Sequence, residues 1–365
     1  MSEIKRIGIL TSGGDCSGLN AVIRAVTYRA INTYGWEVYG IMDGTQGLMD
    51  RPERFVKLDT DIFTGDVLRS GGTMLGTVNK GDPFAFPMPD GSTKDRSEEI
   101  VEGFRELGLD ALVAIGGDGS LALLRKLCAR GGIKMVGIPK TIDNDVRGTE
   151  YAVGFTTAVN VAVEALDRLQ PTAASHHRVM ILELMGRDAG HIALHAGIAG
   201  GADVILLPEL PYRFDNLCDK LRGVMHEGRR HALMVVAEGV KTPTGENATT
   251  VQTGGEVRYG GIGEYISQRL CHDEGDDWET RVTVLGHVQR GGTPSWRDRL
   301  IASAFGVHAV DLVAEGRFDR MVAWNDRQVT DLALPDVVGG SRAVDPYGAL
   351  VHTARGLGIY VGEDV

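Results

Sequence analysis

Residues 139–145 combine two carboxylates, a hydroxyl and an amine within seven positions of the sequence. The residues just before them, 133–138, are mostly apolar, so the sequence predicts a strand that leads into a loop carrying these side chains. Asp143 and Asp145 share one face of an extended segment, where a cation or a bound hydroxyl would relieve their repulsion. We interpret this segment as a catalytic loop acting on a phosphate, with one carboxylate as base and the other helping to hold a metal. A capped turn before a helix is the alternative.

Two glycine-rich turns follow predicted strands and precede predicted helices. Residues 11–18 (Thr-Ser-Gly-Gly-Asp-Cys-Ser-Gly) would turn backbone amides and a helix N-terminus toward a bound phosphate. They contain neither Gly-x-Gly-x-x-Gly nor a Walker A sequence, which weakens the dehydrogenase and P-loop interpretations. In residues 116–120 (Gly-Gly-Asp-Gly-Ser), Asp118 stands at a strand's carboxyl end and could bridge to phosphates through Mg²⁺. Both turns favour a phosphoryl-donor site, and helix capping is the alternative.

Basic side chains gather at or near the ends of other predicted strands. Guanidinium groups make the paired hydrogen bonds that phosphates favour, so two phosphate groups could be engaged. Glu238 follows a strand and could accept hydrogen bonds from sugar hydroxyls, although a plain helix N-terminal carboxylate is the alternative. The basic residues are Arg178, Arg187 in Met185-Gly186-Arg187, Arg281, and His287 and Arg290 in the segment 286–292.

The elements that must position these residues alternate along the chain, which predicts α/β domains with parallel sheets covered by helices on both faces. Residues 241–261 interrupt the alternation and are expected to form an exposed hairpin or loop. Strands are predicted at 7–10, 38–41, 111–115, 134–138, 179–184, 204–207, 232–237 and 281–285. Helices are predicted at 19–34, 97–107, 121–130, 156–169 and 216–226.

Length and composition narrow the class of protein. A chain of 365 residues suits two domains, and its 50 glycines suit turns that approach a ligand closely. The net charge of −11 argues against a nucleic-acid partner. Four scattered cysteines without a Cys-x-x-Cys pair argue against a zinc site or a disulfide framework. No apolar run approaches the roughly 18 residues of a membrane span, so we expect a cytoplasmic protein.

The motifs at 13–15, 116–120, 139–145, 185–187 and 286–292, in this order and spacing, resemble the 6-phosphofructokinase family over most of the chain. The resemblance implies two doubly wound, Rossmann-like three-layer domains with the active site in the cleft between them. Residues 1–155 with about 290–340 would bind the phosphoryl donor, and residues 156–289 with about 341–365 would bind fructose 6-phosphate. It also implies a Mg²⁺-dependent glycolytic kinase that forms fructose 1,6-bisphosphate, and a homo-oligomer, dimer or tetramer, with shared active sites.

The resemblance assigns roles to individual residues. Asp143 would take the proton from the sugar 1-hydroxyl, with Thr141, Asp145 and Arg187 as the other catalytic residues. Asp118 would hold Mg²⁺. The implied donor-binding residues are Gly14, Asn79, Lys80, Gly117, Asp118, Gly119, Ser120 and Lys140, although many family members have an arginine where Asn79 stands. The implied substrate-binding residues are Thr141, Asp143, Arg178, Met185, Gly186, Arg187, Glu238, Arg281, His287 and Arg290, and Arg178 and Arg281 would reach across a subunit interface.

The phosphoryl donor is where the motifs disagree. Pyrophosphate-using members of the family generally have Asp where Gly119 stands and Lys where Lys140 stands, whereas the common ATP-using members have Gly at both positions. An Asp at position 119 would obstruct and repel the α-phosphate of a nucleotide, while Lys140 adds an ammonium that can coexist with one. We therefore predict ATP as donor, with pyrophosphate as the alternative.

Two other classes of protein share part of the pattern. NAD and lipid kinases carry Gly-Gly-Asp-Gly, but they lack the segments 141–145 and 287–292. A non-catalytic sugar-phosphate sensor is expected to have lost the base or the metal carboxylate, and here Asp143 and Asp118 are both present. Both alternatives are therefore disfavoured.

Overall fold

The structure is a computed structural model that describes residues 4–78, 81–251, 257–272 and 278–363. Its strands are short and mostly built from apolar and β-branched residues, as expected for sheets that are covered by helices. In chain order they are β1 (Arg6–Thr11), β2 (Glu37–Ile41), β3 (Phe55–Leu58), β4 (Phe86–Pro87), β5 (Thr93–Lys94), β6 (Ala111–Gly116), β7 (Met135–Thr141), β8 (Val153–Gly154), β9 (Val179–Leu184), β10 (Val204–Leu206), β11 (Ala232–Ala237), β12 (Thr249–Val251), β13 (Val257–Tyr259), β14 (Thr280–Val284), β15 (Arg320–Asn325) and β16 (Gln328–Ala333).

Helices connect most of these strands. They are α1 (Leu19–Tyr34), α2 (Gln46–Met49), α3 (Ser97–Glu106), α4 (Asp118–Gly131), α5 (Phe155–His176), α6 (His191–Ala199), α7 (Phe214–His226), α8 (Ile262–His272), α9 (Trp296–Ala314), α10 (Leu334–Val337) and α11 (Ala349–Gly356). Within the described residues, no helix is both long and apolar enough to cross a membrane.

The chain divides into two compact units. The first unit contains Met1–Thr141, Val146–Thr157 and Arg290–Ser341, and the second contains Ile142–Asp145, Ala158–Gln289 and Arg342–Val365. We predicted that the first part of the chain binds the phosphoryl donor and the second binds the sugar phosphate. This assignment stays a prediction.

The sheet of the first unit has the strand order β16-β15-β7-β6-β1-β2-β3, with β8 paired to β7. Its inner strands are parallel, and β3 and β16 are antiparallel edge strands. In β6, Leu112 and Ala114 belong to a buried cluster with side chains of α3 and α4. The strand order reverses at β1, which has β2 on one side and β6 on the other. The carboxyl ends of β1 and β6 therefore form a topological switch point, where open α/β sheets bind ligands.

The sheet of the second unit has the order β10-β11-β9-β14, and all its pairings are parallel. Since β11, β9 and β14 are neighbours, the residues that follow their carboxyl ends lie along one edge of the sheet. Separately, β12 and β13 pair as an antiparallel hairpin within 241–261, as predicted. The predicted α/β class with sheets dominated by parallel strands is confirmed.

Two predicted boundaries were wrong at the site itself. The strand predicted at 134–138 continues as β7 to Thr141, because residues 140 and 141 pair with β8. The helix predicted at 121–130 begins at Asp118, with Gly117 as its N-cap residue in an extended conformation. Lys140 therefore lies on a strand, and Asp118 lies in the first turn of a helix.

Candidate active site

The turn between β1 and α1 is held through its carbonyl oxygens. A hydroxyl, an ammonium and a guanidinium each donate a hydrogen bond to one of three consecutive carbonyls. The pairs are Thr77 Oγ1 to Gly13 O at 2.6 Å, Lys140 Nζ to Gly14 O at 2.6 Å, and Arg290 Nη1 to Asp15 O at 3.1 Å. With these oxygens engaged and two cations beside it, the turn is suited to bind an anion.

Close packing explains why this turn contains adjacent glycines. Gly13 has φ 81°, and a Cβ added there would lie 2.7 Å from Ser120 Oγ and 3.3 Å from Lys140 Nζ. A Cβ added to Gly14 would lie 2.7 Å from Arg290 Nη1. The structure therefore brings together three residues of the predicted donor site, Gly14, Ser120 and Lys140, and it adds Arg290, which the sequence assigned to the sugar phosphate.

Gly119 differs from these glycines because its surroundings are open. A Cβ added to Gly119 would have no atom within 4 Å among the described residues. Packing within the protein therefore does not require glycine at this position. Since β6 is the direct neighbour of β1, Gly119 follows the strand next to the turn at Gly13 and Gly14. Space at this point of the sheet edge is what a bound donor requires.

Lys140 is only 4% exposed. A buried ammonium is strongly disfavoured unless hydrogen bonds compensate for lost water, and the carbonyl of Gly14 provides one such bond. Lys140 is therefore part of the packing of the donor turn as well as a source of positive charge. Two further predicted donor residues, Asn79 and Lys80, lie outside the described residues.

Asp118 is the predicted metal ligand, and its Oδ1 accepts a hydrogen bond from Gly339 N at 3.0 Å. Throughout the described ranges, no three His, Cys, Asp or Glu side chains converge on a metal site. Mg²⁺ at phosphoryl-transfer sites is commonly held by one or two carboxylates together with substrate phosphates and water. A single carboxylate just after β6, the neighbour of the strand that leads to the turn at Gly14, fits that mode of binding.

In the second unit, two side-chain acceptors hold the loop that follows β9. Glu238 Oε1 accepts hydrogen bonds from Arg187 N at 3.0 Å and Gly186 N at 3.3 Å. Gln289, which is 1% exposed, accepts one from Met185 N at 2.8 Å. Arg187 has φ 51°, a left-handed conformation that is uncommon for arginine and is often found at functional sites. The structure therefore brings together Met185, Gly186, Arg187 and Glu238.

The predicted base belongs to the second unit, whereas Thr141 belongs to the first. Asp143 is 5% exposed and Asn144 is 3% exposed, so the loop that carries the base is buried. Asn144 has φ 54°, which again is a left-handed conformation. Arg342 donates to the carbonyls of Asn144 and Asp145. Arg342 could not be found from the sequence, because it lies in no recognisable motif and is 198 positions from Asn144.

Arg178 and Arg281 are not brought to the edge of the sheet where Arg187 lies. Arg178 directly precedes β9, and Arg281 is the second residue of β14, so both lie near the amino ends of parallel strands. A six-residue strand is about 20 Å long. Both arginines bond Glu279, at 2.6 Å and 2.5 Å, and the hydrogen bond from Arg178 is the main cause of a lowered pKa of that carboxyl.

The chain is similar in sequence to known proteins over its whole length. The family model described as phosphofructokinase matches residues 6–313. A protein of Synechocystis sp. named ATP-dependent 6-phosphofructokinase 1 is 59% identical over 364 residues, covering 100% of both chains. A protein of the same name from Nostoc sp. is 60% identical over 363 residues, again covering 100% of both.

Solved structures show the same similarity. The phosphofructokinase from Saccharomyces cerevisiae is 30% identical with a TM-score of 0.76, over 91% of this chain and 45% of that one. The pyrophosphate-dependent phosphofructokinase from Nitrosospira multiformis has a TM-score of 0.80 over 99% of this chain and 93% of that one. Its sequence identity is 19%, so this second likeness concerns the fold alone.

Proposed function

The chain belongs to the phosphofructokinase family, and from this we propose that it is an ATP-dependent 6-phosphofructokinase. It transfers a phosphoryl group from ATP to the 1-hydroxyl of fructose 6-phosphate, giving fructose 1,6-bisphosphate in glycolysis. The observation that carries the proposal is the identity of 59% and 60% to two ATP-dependent enzymes over their entire lengths.

Each unit has a sheet edge that suits one substrate: the donor edge is the turn at Gly13 and Gly14 in the first unit, and the acceptor edge is the loop of Met185, Gly186 and Arg187 in the second. At the donor edge, Lys140 and Arg290 place positive charge beside the turn at Gly14, as transfer between anions requires. Asp118 would hold Mg²⁺, which when bound neutralises charge on the donor phosphates. At the acceptor edge, Arg187 and His287 would bind the sugar phosphate.

Asp143 is the proposed base for the sugar hydroxyl. A carboxylate within reach of the hydroxyl can accept its proton as the bond to phosphorus forms. Thr141 and Asp145, which flank Asp143 in the sequence, would support it. Burial of Asp143 supports this role, because a base shielded from water is also shielded from competing solvent reactions.

The open space at Gly119 favours ATP over pyrophosphate as the donor. A nucleotide needs room for its α-phosphate, and position 119 offers that room within the described residues. Lys140 is the feature that favours the second candidate, a pyrophosphate-dependent enzyme. However, Lys140 donates a hydrogen bond to the carbonyl of Gly14. This structural role explains the lysine whether or not the enzyme uses pyrophosphate.

We also propose that the enzyme is a cytoplasmic homo-oligomer, a dimer or tetramer with shared active sites. The positions of Arg178 and Arg281 support sharing, since both lie near the amino ends of strands whose carboxyl ends lead to Arg187 and His287. An arginine in that position is better placed to reach a second subunit's site than its own.

A direct assay tests the donor and the acceptor together. Purified protein with Mg²⁺ and fructose 6-phosphate is supplied separately with ATP, ADP or pyrophosphate, and fructose 1,6-bisphosphate is measured through an aldolase-coupled assay. We expect turnover with ATP. Turnover with pyrophosphate but not ATP would transfer the assignment to the second candidate. Binding of fructose 6-phosphate without turnover with any donor would favour the sugar-phosphate sensor.

A further inference from the structure

The loop that carries Asp143 is held by a residue from the C-terminal part of the chain. Arg342 donates from Nε and Nη2 to Asn144 O at 3.2 Å and 3.0 Å, and from its backbone N to Asp145 O at 2.7 Å. All of these residues belong to the second unit. We propose that Arg342 is a positioning residue, which fixes the backbone that directly follows the catalytic base.

The conformation of the loop shows why such a contact is needed. Asn144, directly after the base, has φ 54° and is 3% exposed. L-residues adopt this left-handed conformation rarely, so other contacts must hold it in place. A guanidinium that donates twice to one carbonyl oxygen gives a strong, charge-assisted contact of fixed direction. Arg342 thereby fixes the peptide group that follows Asn144.

Arg342 is itself anchored on α6. His191 Nε2 lies 2.9 Å from Arg342 O, and burial lowers the pKa of His191 to about 4. The imidazole is therefore neutral near pH 7, and with its proton on Nε2 it donates to that carbonyl. Two positions further, Val344 N donates to Glu209 Oε1 at 2.8 Å. The segment 342–344 is thus fixed at two points.

The same anchors connect the base loop to the acceptor edge. Glu209 Oε1 also accepts a hydrogen bond from Gly190 N at 2.9 Å. Gly190 directly precedes His191, and both closely follow the loop of Arg187. The base loop and the acceptor loop therefore share one set of supports, with Arg342 in contact with the base loop. This inference rests on the proposed function, because it assigns Arg342 a part in the same reaction.

The test separates positioning from binding and from folding. Arg342→Ala and Arg342→Lys are compared with the wild type by steady-state kinetics for ATP and for fructose 6-phosphate. We expect kcat to fall by about tenfold to a hundredfold in the alanine variant, as for a small displacement of a catalytic group. Both KM values should stay within about twofold, because Arg342 contacts the base loop through the backbone carbonyls of Asn144 and Asp145. Lysine should recover part of kcat, since an ammonium can donate to Asn144 O but not as a two-pronged donor.

Arg355→Ala is the matched control. Arg355 lies on α11 of the same C-terminal segment and donates to the carbonyl of Glu363 at 3.4 Å, a residue outside the base loop. Its kcat should stay within about twofold of the wild type. Thermal unfolding of each variant shows whether the fold is retained.

Each outcome decides a separate question. Absence of wild-type turnover would defeat the proposed function rather than the role of Arg342. With an active wild type, an unchanged kcat in folded Arg342→Ala would overturn the positioning role. The positioning role would also be overturned if kcat fell while both KM values rose and Arg342→Lys were no more active than Arg342→Ala. If the alanine variant does not fold, the lysine variant decides: we expect kcat at least about threefold lower with KM retained, and an unchanged kcat would overturn the proposal.

Discussion

The donor edge of the first unit and the acceptor edge of the second are each fixed by hydrogen bonds, but the bonds are of opposite kinds. At the donor edge, Thr77, Lys140 and Arg290 donate to carbonyl oxygens of the turn after β1. At the acceptor edge, Glu238 and Gln289 accept from backbone N–H groups of the loop after β9. The donor turn is thus held through its carbonyl oxygens, whereas the acceptor loop is held through its N–H groups. Because Met185 N, Gly186 N and Arg187 N are already bonded within the protein, we expect sugar-phosphate binding at the acceptor edge to rely mainly on side chains.

The same contrast extends beyond the two loops. The second unit satisfies further backbone N–H groups with buried acids: Glu183, 1% exposed, accepts from Gly261 N at 3.0 Å and Gly263 N at 2.9 Å. The donor turn depends instead on glycines packed against polar side chains. Adding atoms should therefore damage the donor edge, and removing acceptors should damage the acceptor edge.

The largest effect on activity should come from replacing the base, Asp143. Its loss removes the proton acceptor and leaves the donor edge and the acceptor edge intact. Asp143→Asn keeps the size of the side chain but removes its capacity to accept a proton. We expect kcat to fall by about a thousandfold or more. Fructose 6-phosphate should still bind, as measured by calorimetry without ATP. A kcat within tenfold of the wild type would show that Asp143 is not the base.

The next largest effect should separate the two edges. Glu238→Ala leaves Gly186 N and Arg187 N without their acceptor, so Arg187 should lose its left-handed conformation. We expect kcat/KM for fructose 6-phosphate to fall by about a hundredfold with little change in KM for ATP. Glu238→Gln retains one acceptor oxygen and should lose less.

Thr77→Val is the matched change at the donor edge. It removes the hydroxyl that donates to Gly13 O and should raise KM for ATP while sparing fructose 6-phosphate. If Glu238→Ala impaired the use of ATP as much as the use of fructose 6-phosphate, the proposed difference between the two edges would be wrong.

Local sequence signals predicted a large part of the fold. The bounds of α1, β9 and β11 were predicted correctly, because each is a continuous run with a clear pattern and α1 ends at Gly35 in a left-handed conformation. The helices α6 and α9 were missed. Both are buried on several sides, so their sequences lack the polar stripe that identifies a surface helix.

The site was predicted as motifs, but not as a set of contacts. Glycine-rich turns and acids at strand ends are local signals, so the motif at 116–120 could be found without a structure. The bond from Met185 N to Gln289 depends on β14 lying beside β9, which the sequence does not state. The contact of Arg342 with the base loop likewise joins distant parts of the chain, so the sequence does not indicate it. For the same reason Arg290 was assigned to the sugar phosphate from its motif, and its contact with Asp15 was not foreseen.

A smaller effect should come from adding atoms at Gly119. Gly119→Asp places a carboxylate in open space at the donor edge, so the fold should be unaffected while the nucleotide phosphates are repelled. We expect kcat/KM for ATP to fall at least about tenfold, with thermal stability retained. Gly119→Ala, which adds no charge, should lose less.

Gly14→Ala provides the contrasting control at the donor edge. Its Cβ would meet Arg290 Nη1 at 2.7 Å, so it should lower thermal stability as well as ATP use. A loss of stability in Gly119→Asp as large as that in Gly14→Ala would contradict the difference between the two glycines.

The smallest effect should be a pH-dependent change in stability, arising from the buried polar groups of the second unit. Burial lowers the pKa of His191 from 6.5 to about 4, so the unfolded chain binds a proton that the folded chain does not. The stabilisation is therefore complete above about pH 6.5 and is lost as pH falls toward 4. Between pH 7 and pH 5 this amounts to about 2 kcal/mol, or a few degrees in the unfolding temperature.

His191→Gln should reduce that loss, because glutamine can still donate to Arg342 O but does not titrate. The measurement is the unfolding temperature at pH 7 and pH 5 for wild type and variant, with the exposed His226→Gln as control. We expect the drop on acidification to be smaller in His191→Gln than in wild type and unchanged in His226→Gln. An equal drop in all three proteins would show that the neutral imidazole of His191 does not support the segment that holds the base loop, and acid sensitivity would then lie elsewhere in the second unit.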